Sequence, residues 1–282
     1  MPKMRRRFAA AWNFDKFKLL REFGTAFTII WAICDPCLSF LGYELRHNAV
    51  VWYGLLLAPS ILWTVLKFPA TTAVRWRVAN TNTTVSVVFG DLFHRDGIKV
   101  IPVNEYFDTL VDDRHVSAKS VHGEFIKRQF PNGALELDRA IDQGLKTNLC
   151  TLSERPTGRK QRYEIGTTVC ISLRDERYFL LATCKTEDNT LRAHSSVPLL
   201  WDALDGLWKF VRNNSSGHLV TVPLIGGGLA RVGLPPDQLL RFILLSLVTA
   251  VKSSDLGHEV CIVLRDDLVS EIDLNAINRE WR

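Results

Sequence analysis

The chain has 282 residues, 35 Lys+Arg against 30 Asp+Glu, a formal net charge of +5 and 47% hydrophobic residues. That length and apolar share suffice for one or two domains with a core, and they exclude a disordered chain, a collagen-like repeat and a small disulfide scaffold. Residues 1–22 hold seven basic residues against two acidic ones, whereas residues 78–282 hold 24 against 26, so the larger part lacks the electrostatic footprint of a nucleic-acid binder.

Residues 1–22 read as a basic cytosolic segment. From Phe23 to Tyr43 the chain is almost wholly apolar, broken only by Asp35; Glu44–Asn48 are polar; Ala49–Leu66 carry no charge. A bilayer core of about 30 Å takes about 20 apolar helical residues, so residues 23–68 are expected to form two transmembrane helices. Trp52, Tyr53 and Trp63 fall near the ends of the second run, where aromatic rings favour the interface. Lys and Arg lie on the outer flanks, with only Arg46 between the runs, which places both termini in the cytosol. Asp35, beside Pro36, costs roughly 2.5–3.5 kcal/mol at such depth. It is expected to meet a polar partner or a water path, or to bond, protonated, to the backbone of a kinked helix. Cys34 and Cys37 spell C-x-x-C in an apolar run and read as coincidence; Cys150, Cys170, Cys184 and Cys261 show no metal-ligand spacing and suit a reducing compartment.

Residues 69–83 mix small, basic and polar types and read as a linker; residues 84–282 form the large domain. There strand and helix signals alternate. Val85–Phe89 and Ile98–Val103 are β-branched runs; Val121–Phe130 and Leu135–Leu145 have helical spacing; Glu164–Leu173 and Tyr178–Cys184 read as a hairpin across the charged tetrad Arg174–Arg177. Pro198–Val211 reads as a helix, His218–Leu224 as a strand, Ile225–Leu234 as a glycine loop, Pro236–Lys252 as a helix opened by proline and Glu259–Leu264 as a last strand. The order predicts an α/β domain with a mixed sheet covered by helices on both faces.

Strand, glycine-rich loop and helix N-terminus together make a phosphate cradle, because freed backbone N–H groups and the helix dipole favour an anion. The loop Pro223–Pro235 has three consecutive glycines, Gly226, Gly227 and Gly228, followed by Leu229, Ala230 and Arg231, and no acid. It matches neither a P-loop nor a full dinucleotide fingerprint, and a flexible connection is the competing reading. Gly90-Asp91-Leu92-Phe93 puts a carboxylate at the carboxyl end of the first strand, and Asn104-Glu105 follows the second. Asp91 could accept from an exocyclic amine and Asn104 could bond a ribose hydroxyl; strand-end caps are the competing reading for both.

Gly-Asp-Leu-Phe, a strand ending in Asn104, and a glycine loop opening the penultimate helix resemble a macro domain. The strings Val100-Ile-Pro-Val-Asn-Glu-Tyr-Phe-Asp-Thr109 and Ser120-Val-His-Gly-Glu-Phe-Ile126, behind two apolar runs, resemble the membrane-anchored macro-domain effectors of type II Thoeris anti-phage defence, the ThsA macro family. The resemblance implies a transmembrane hairpin followed by an α/β macro domain, in a two-pass protein of the bacterial inner membrane. It implies that Asp91 contacts adenine, that Asn104 and Glu105 sit by the distal ribose, that Ser120, His122 and Gly123 form the first ligand loop, and that Gly226–Arg231 wrap the diphosphate. No cofactor, metal or catalytic residue is implied. The ligand would be an ADP-ribose derivative, a histidine conjugate in one branch of the family, made by a partner TIR-domain enzyme that consumes NAD. Binding would drive homo-oligomers that breach the lipid bilayer and cause abortive infection. The chain reads Pro-Val-Asn-Glu and Ser-Val-His-Gly where hydrolases of this fold carry Asn-Ala-Ala-Asn and Gly-Gly-Gly, which favours a receptor over an enzyme. The alternatives are a tethered hydrolase of ADP-ribose linkages using Glu105, Asp108 or His122, and a non-toxic nucleotide-sensing scaffold.

Overall fold

The computed structural model describes residues 2–40, 49–228, 232–257 and 259–282. They form two compact units, residues 1–72 with 267–274 and residues 73–266 with 275–282.

The first unit is helical: α1 (Pro2–Phe14), α2 (Lys18–Phe40) and α3 (Ala49–Lys67). Arg7 Nε donates to the Ala70 carbonyl at 3.1 Å, and the Phe8 and Phe68 rings meet at 5.7 Å. The two expected spans and the two-pass inner-membrane placement are overturned here. Among the described residues no helix is long and apolar enough to cross a membrane. In α2 the charges Lys18, Arg21, Glu22 and Asp35 lie inside the helix, so its uncharged stretch is residues 23–34, about 18 Å at helical rise against a core of about 30 Å. Within its nineteen residues α3 carries Gly54, Pro59, Ser60 and Thr64. Ser60 and Thr64 are buried, their hydroxyls donating to the carbonyls of Leu56 and Ser60 one turn back. The polar break at 44–48 and the Trp52 side chain lie outside the described set.

The second unit is the α/β domain. Its eight-stranded sheet runs β1 (Ala73–Arg77), β2 (Thr84–Phe89), β10 (Glu259–Leu264), β9 (Val220–Pro223), β3 (Ile98–Asn104), β7 (Glu176–Thr186) and β6 (Thr168–Leu173), with β8 (Ala193–His194) on the end of β7. β2, β10, β9, β3 and β7 pair in parallel; β1 and β6 close the two sides antiparallel. β4 (Cys150–Leu152) and β5 (Gln161–Tyr163) form a separate two-stranded arm. β1 lies inside the stretch read as a linker, although Val74 and Trp76 alternate with the exposed Arg75 and Arg77 as in an edge strand with one solvated face.

Successive residues of a strand point to opposite faces, and β7 shows both. Tyr178 meets Phe125 of α4 (Val121–Gln129) at 4.8 Å, whereas Phe179 meets Phe210 of α6 (Val197–Asn214) at 5.0 Å. Ile101, Val103, Leu180 and Ala182 form one core with Phe125 and Ile126, and with Leu137 and Ile141 of α5 (Leu135–Gly144). α6 lies on the other face and packs on α7 (Pro236–Ser253); α8 spans Leu274–Trp281. Helices therefore cover both faces, as the alternation of signals predicts. The middle of the parallel sheet is a buried apolar run, with Val100, Ile101 and Val103 of β3, Phe179–Ala182 of β7 and Val260–Leu264 of β10, as a sheet covered on both sides requires.

Candidate functional site

Parallel strands deliver their carboxyl ends to one edge, where open α/β sheets take ligands. Across this edge Asp91 follows β2, the glycine loop follows β9 and Asn104 ends β3, in the spatial order β2, β10, β9, β3. With neighbouring strands about 4.8 Å apart, Asp91 and Asn104 are separated by about 14 Å with the loop between them.

Asp91 caps a short 3₁₀ turn, accepting from the Phe93 amide at 2.9 Å, and its other oxygen accepts from Arg128 Nη2 at 3.1 Å. Burial acts upward on this carboxyl, yet the Phe93 amide and Arg128 hold it below its ordinary value. Arg128 itself lies over the Phe93 ring, 4.6 Å from its centroid.

In the glycine loop Gly226 has φ +93, and its carbonyl accepts from the Val232 amide at 3.3 Å. A Cβ there would stand 3.0 Å from Val232 and 3.1 Å from Leu239, whereas one on Gly228 would meet open space. Gly227 and Gly228 are exposed. Leu229, Ala230 and Arg231 lie outside the described residues. The helix that follows begins without a side-chain cap, since Pro235 is its N-cap and Pro236 its first residue. Its first-turn amides are thus left for solvent or an anion.

The loop after β3 is organised by its own side chains. Asn104 is 8% exposed; its Oδ1 accepts from the amides of Tyr106 and Asp108, and its Nδ2 donates to Asp108 Oδ2 at 2.9 Å. Asp108, 1% exposed, also accepts from Arg155 Nη2 at 2.9 Å and from the Arg159 amide at 3.0 Å. Arg155 lies over the Tyr106 ring, 4.1 Å from its centroid, and its Nη1 is buried without a partner among the described residues. Glu105 is buried, accepts from the Thr186 amide at 3.2 Å, and is raised above its ordinary value by that burial. Ser120 caps α4, accepting from Gly123 N at 2.9 Å and donating to the Ser117 carbonyl. A Cβ on Gly123 would fall 2.2 Å from that same carbonyl oxygen, so only glycine allows the approach.

The resemblance places His122 in the first ligand loop; the structure puts it in the first turn of α4 and buries it at 5% exposure, its Nε2 without a partner among the described residues. Burial pushes the imidazole down to about 4, while Asp108 acts in the opposite direction.

The structure thus gathers Asn104, Glu105, Ser120, His122 and Gly123 at one end of the edge, the glycines at its middle and Asp91 at the far end. Sequence reasoning missed Arg155 and Arg159, between β4 and β5, and Arg162 of β5, which fasten that arm onto the loop after β3. Their only signal is Arg155-Pro-Thr-Gly-Arg159, two arginines about a turn. Gly158 there, with φ +83, has room for no Cβ beside Arg155 and Asp108.

The family model described as Thoeris protein ThsA, Macro domain, matches residues 85–265. The Thoeris protein ThsA of Bacillus amyloliquefaciens (strain Y2) is 29% identical over 200 residues, which are 69% of this chain and 65% of that protein. The chain therefore spans about 65% of the length of that relative. A point mutant of the Oceanobacillus iheyensis macrodomain superposes with a TM-score of 0.50 at 13% identity, covering 74% of this chain and 100% of that one, which speaks for the fold alone. With a mixed sheet, helices on both faces and a match over residues 85–265, the chain belongs to the Thoeris ThsA macro-domain family.

Proposed function

We propose that this protein is a receptor of anti-phage defence that holds an ADP-ribose-type nucleotide across the carboxyl edge of its sheet. The observation that carries the reading is the exposed glycine loop with an uncapped helix behind it, set between Asp91 and Asn104. A diphosphate accepts hydrogen bonds from loop and first-turn amides and gains from the helix dipole. The adenosine and the distal ribose then extend in opposite directions, the adenine toward Asp91 and the ribose toward the loop after β3. The likeness to ThsA of B. amyloliquefaciens supports a place in defence, with the nucleotide, a histidine conjugate of ADP-ribose among the candidates, supplied by an NAD-consuming TIR-domain enzyme.

Retention rather than turnover is favoured by the state of the acid–base groups. Glu105 is bound to the Thr186 amide, Asp108 is paired with Arg155, and His122 is buried and held neutral; none presents a free proton carrier to solvent. Ligand binding would act by stabilising a self-associating form, which requires tighter binding to that form than to the free chain. Calorimetry of the full chain with ADP-ribose and with its histidine conjugate, with mass spectrometry of the recovered ligand and sedimentation with and without it, tests the reading. Saturable binding, intact ligand and a shift to larger species are expected. Hydrolysis products would replace the receptor by a hydrolase, and absence of binding would remove the nucleotide altogether.

A further inference from the structure

Arg128, in the last turn of α4, ties that helix to the Asp91 end of the sheet edge. Its Nη2 donates to Asp91 Oδ2 at 3.1 Å, the same nitrogen bonds Glu124 one turn back, and the guanidinium lies 4.6 Å from the Phe93 ring centroid. Neighbours on two elements thus hold this one side chain, a support that a solitary surface ion pair lacks. Asp91 in turn is held at both oxygens, by the Phe93 amide at 2.9 Å and by Arg128, and the exposed His94 ring stands 3.3 Å from the second oxygen. An ionised carboxylate has about four lone-pair positions. Asp91, 35% exposed at its side chain, therefore keeps room for one more donor.

We propose that Arg128 is the positioning residue that makes this end of the edge selective for a purine with an exocyclic amine over one with a carbonyl at the same place. The proposal rests on the nucleotide reading of the edge and adds to it the residue that sets the choice of base. The terminal torsion of an aspartate is broad, so with the Phe93 amide alone the second oxygen is free to swing; Arg128 fixes it. A fixed, ionised carboxylate only accepts. An amine completes it, whereas a carbonyl oxygen would face it with no proton between them and leave both unsatisfied. Burial works against ionisation, yet the Phe93 amide and Arg128 hold the carboxyl below its ordinary value, so at neutral pH it has no proton to offer a carbonyl. A planar guanidinium can lie on the Phe93 ring and still meet the carboxylate edge, which a lysine ammonium does not reproduce.

The test is calorimetry of the full chain with ADP-ribose and with inosine diphosphate ribose, which carries a carbonyl where adenine carries its amine. The wild type is expected to prefer ADP-ribose by about tenfold or more, as a hydrogen bond to a charged group implies. Arg128→Met keeps an apolar stem on Phe93 and removes the donors. It should weaken ADP-ribose about fivefold and leave the inosine ligand within about twofold, so that the preference falls. Arg128→Lys, with a charge but no fork, should lower the preference about threefold. The pair is partly exposed, so its loss costs the fold little. Thermal unfolding checks each variant, and if Arg128→Met is not folded, Arg128→Lys decides. Equal affinity of the wild type for the two ligands, an unchanged preference in the variant, or an equal loss of both ligands would overturn the proposal and leave nucleotide binding standing. A wild type that binds neither ligand would remove the nucleotide reading, and the proposal with it.

Discussion

Asp108 and Arg155 are 2% and 0% exposed at their side chains, so removing either leaves the other charge buried without its partner. Breaking such a pair costs about 3–5 kcal/mol, and Asp108→Ala is expected to lower the unfolding free energy by that amount in urea denaturation. A loss under about 1 kcal/mol would mean that the pair is solvated. His122 gives the residue scale a pH dependence. Its folded-state value of about 4 lies below the usual value of 6.5. Between these limits the unfolded chain binds a proton that the folded chain refuses, so stability is lost as pH falls from 6.5 toward 4. Between pH 7 and pH 4.5 the wild type should lose about 2–3 kcal/mol more than His122→Leu does, as read from denaturation at both pH values. Parallel losses would show that His122 is solvated. None of this is written in the spacing of the sequence, because Asp108 and Arg155 meet only after two separate loops fold over each other, and His122 is buried only once α4 packs on the sheet.

The glycine loop and α4 carry the predictions at the scale of elements. Gly226 needs φ +93 and lies against Val232 and Leu239, whereas Gly228 faces open space. Gly226→Ala is therefore expected to destabilise the domain by about 1–3 kcal/mol. Gly228→Val should leave thermal unfolding unchanged while blocking ADP-ribose in calorimetry. Unchanged ligand affinity in Gly228→Val would dissociate the loop from the ligand. Ser120→Ala removes the cap of α4 and should cost about 1 kcal/mol. Elements with a strong period were legible: β10 runs from Glu259 to Leu264 and α7 opens at Pro236, where apolar spacing and a start signal coincide. β1 does alternate, as Val74-Arg75-Trp76-Arg77, but a run of five residues is too short for that period to stand out from a polar linker. β4 and β5 were missed because three-residue strands with mostly exposed side chains carry no period.

At the scale of the whole molecule, a mixed sheet with helices on both faces and a glycine loop between β9 and α7 were implicit in the alternation of elements, whereas the strand order was not; the chain matches the macro-domain family over residues 85–265. The apolar N-terminal runs misled because hydrophobicity was judged from long runs, while the helices formed have their own boundaries. α2 takes Lys18, Arg21 and Glu22 into its first turns and includes Asp35 further along, which shortens its uncharged stretch. The central claim is that the carboxyl edge of the sheet holds an ADP-ribose-type nucleotide intact. Titrating ADP-ribose into the full wild-type chain, with Gly228→Val as the matched control, tests it most directly. Saturable binding by the wild type, its loss in the variant and recovery of unchanged ligand are predicted; no binding by the wild type, equal binding by both proteins, or release of hydrolysis products would contradict it.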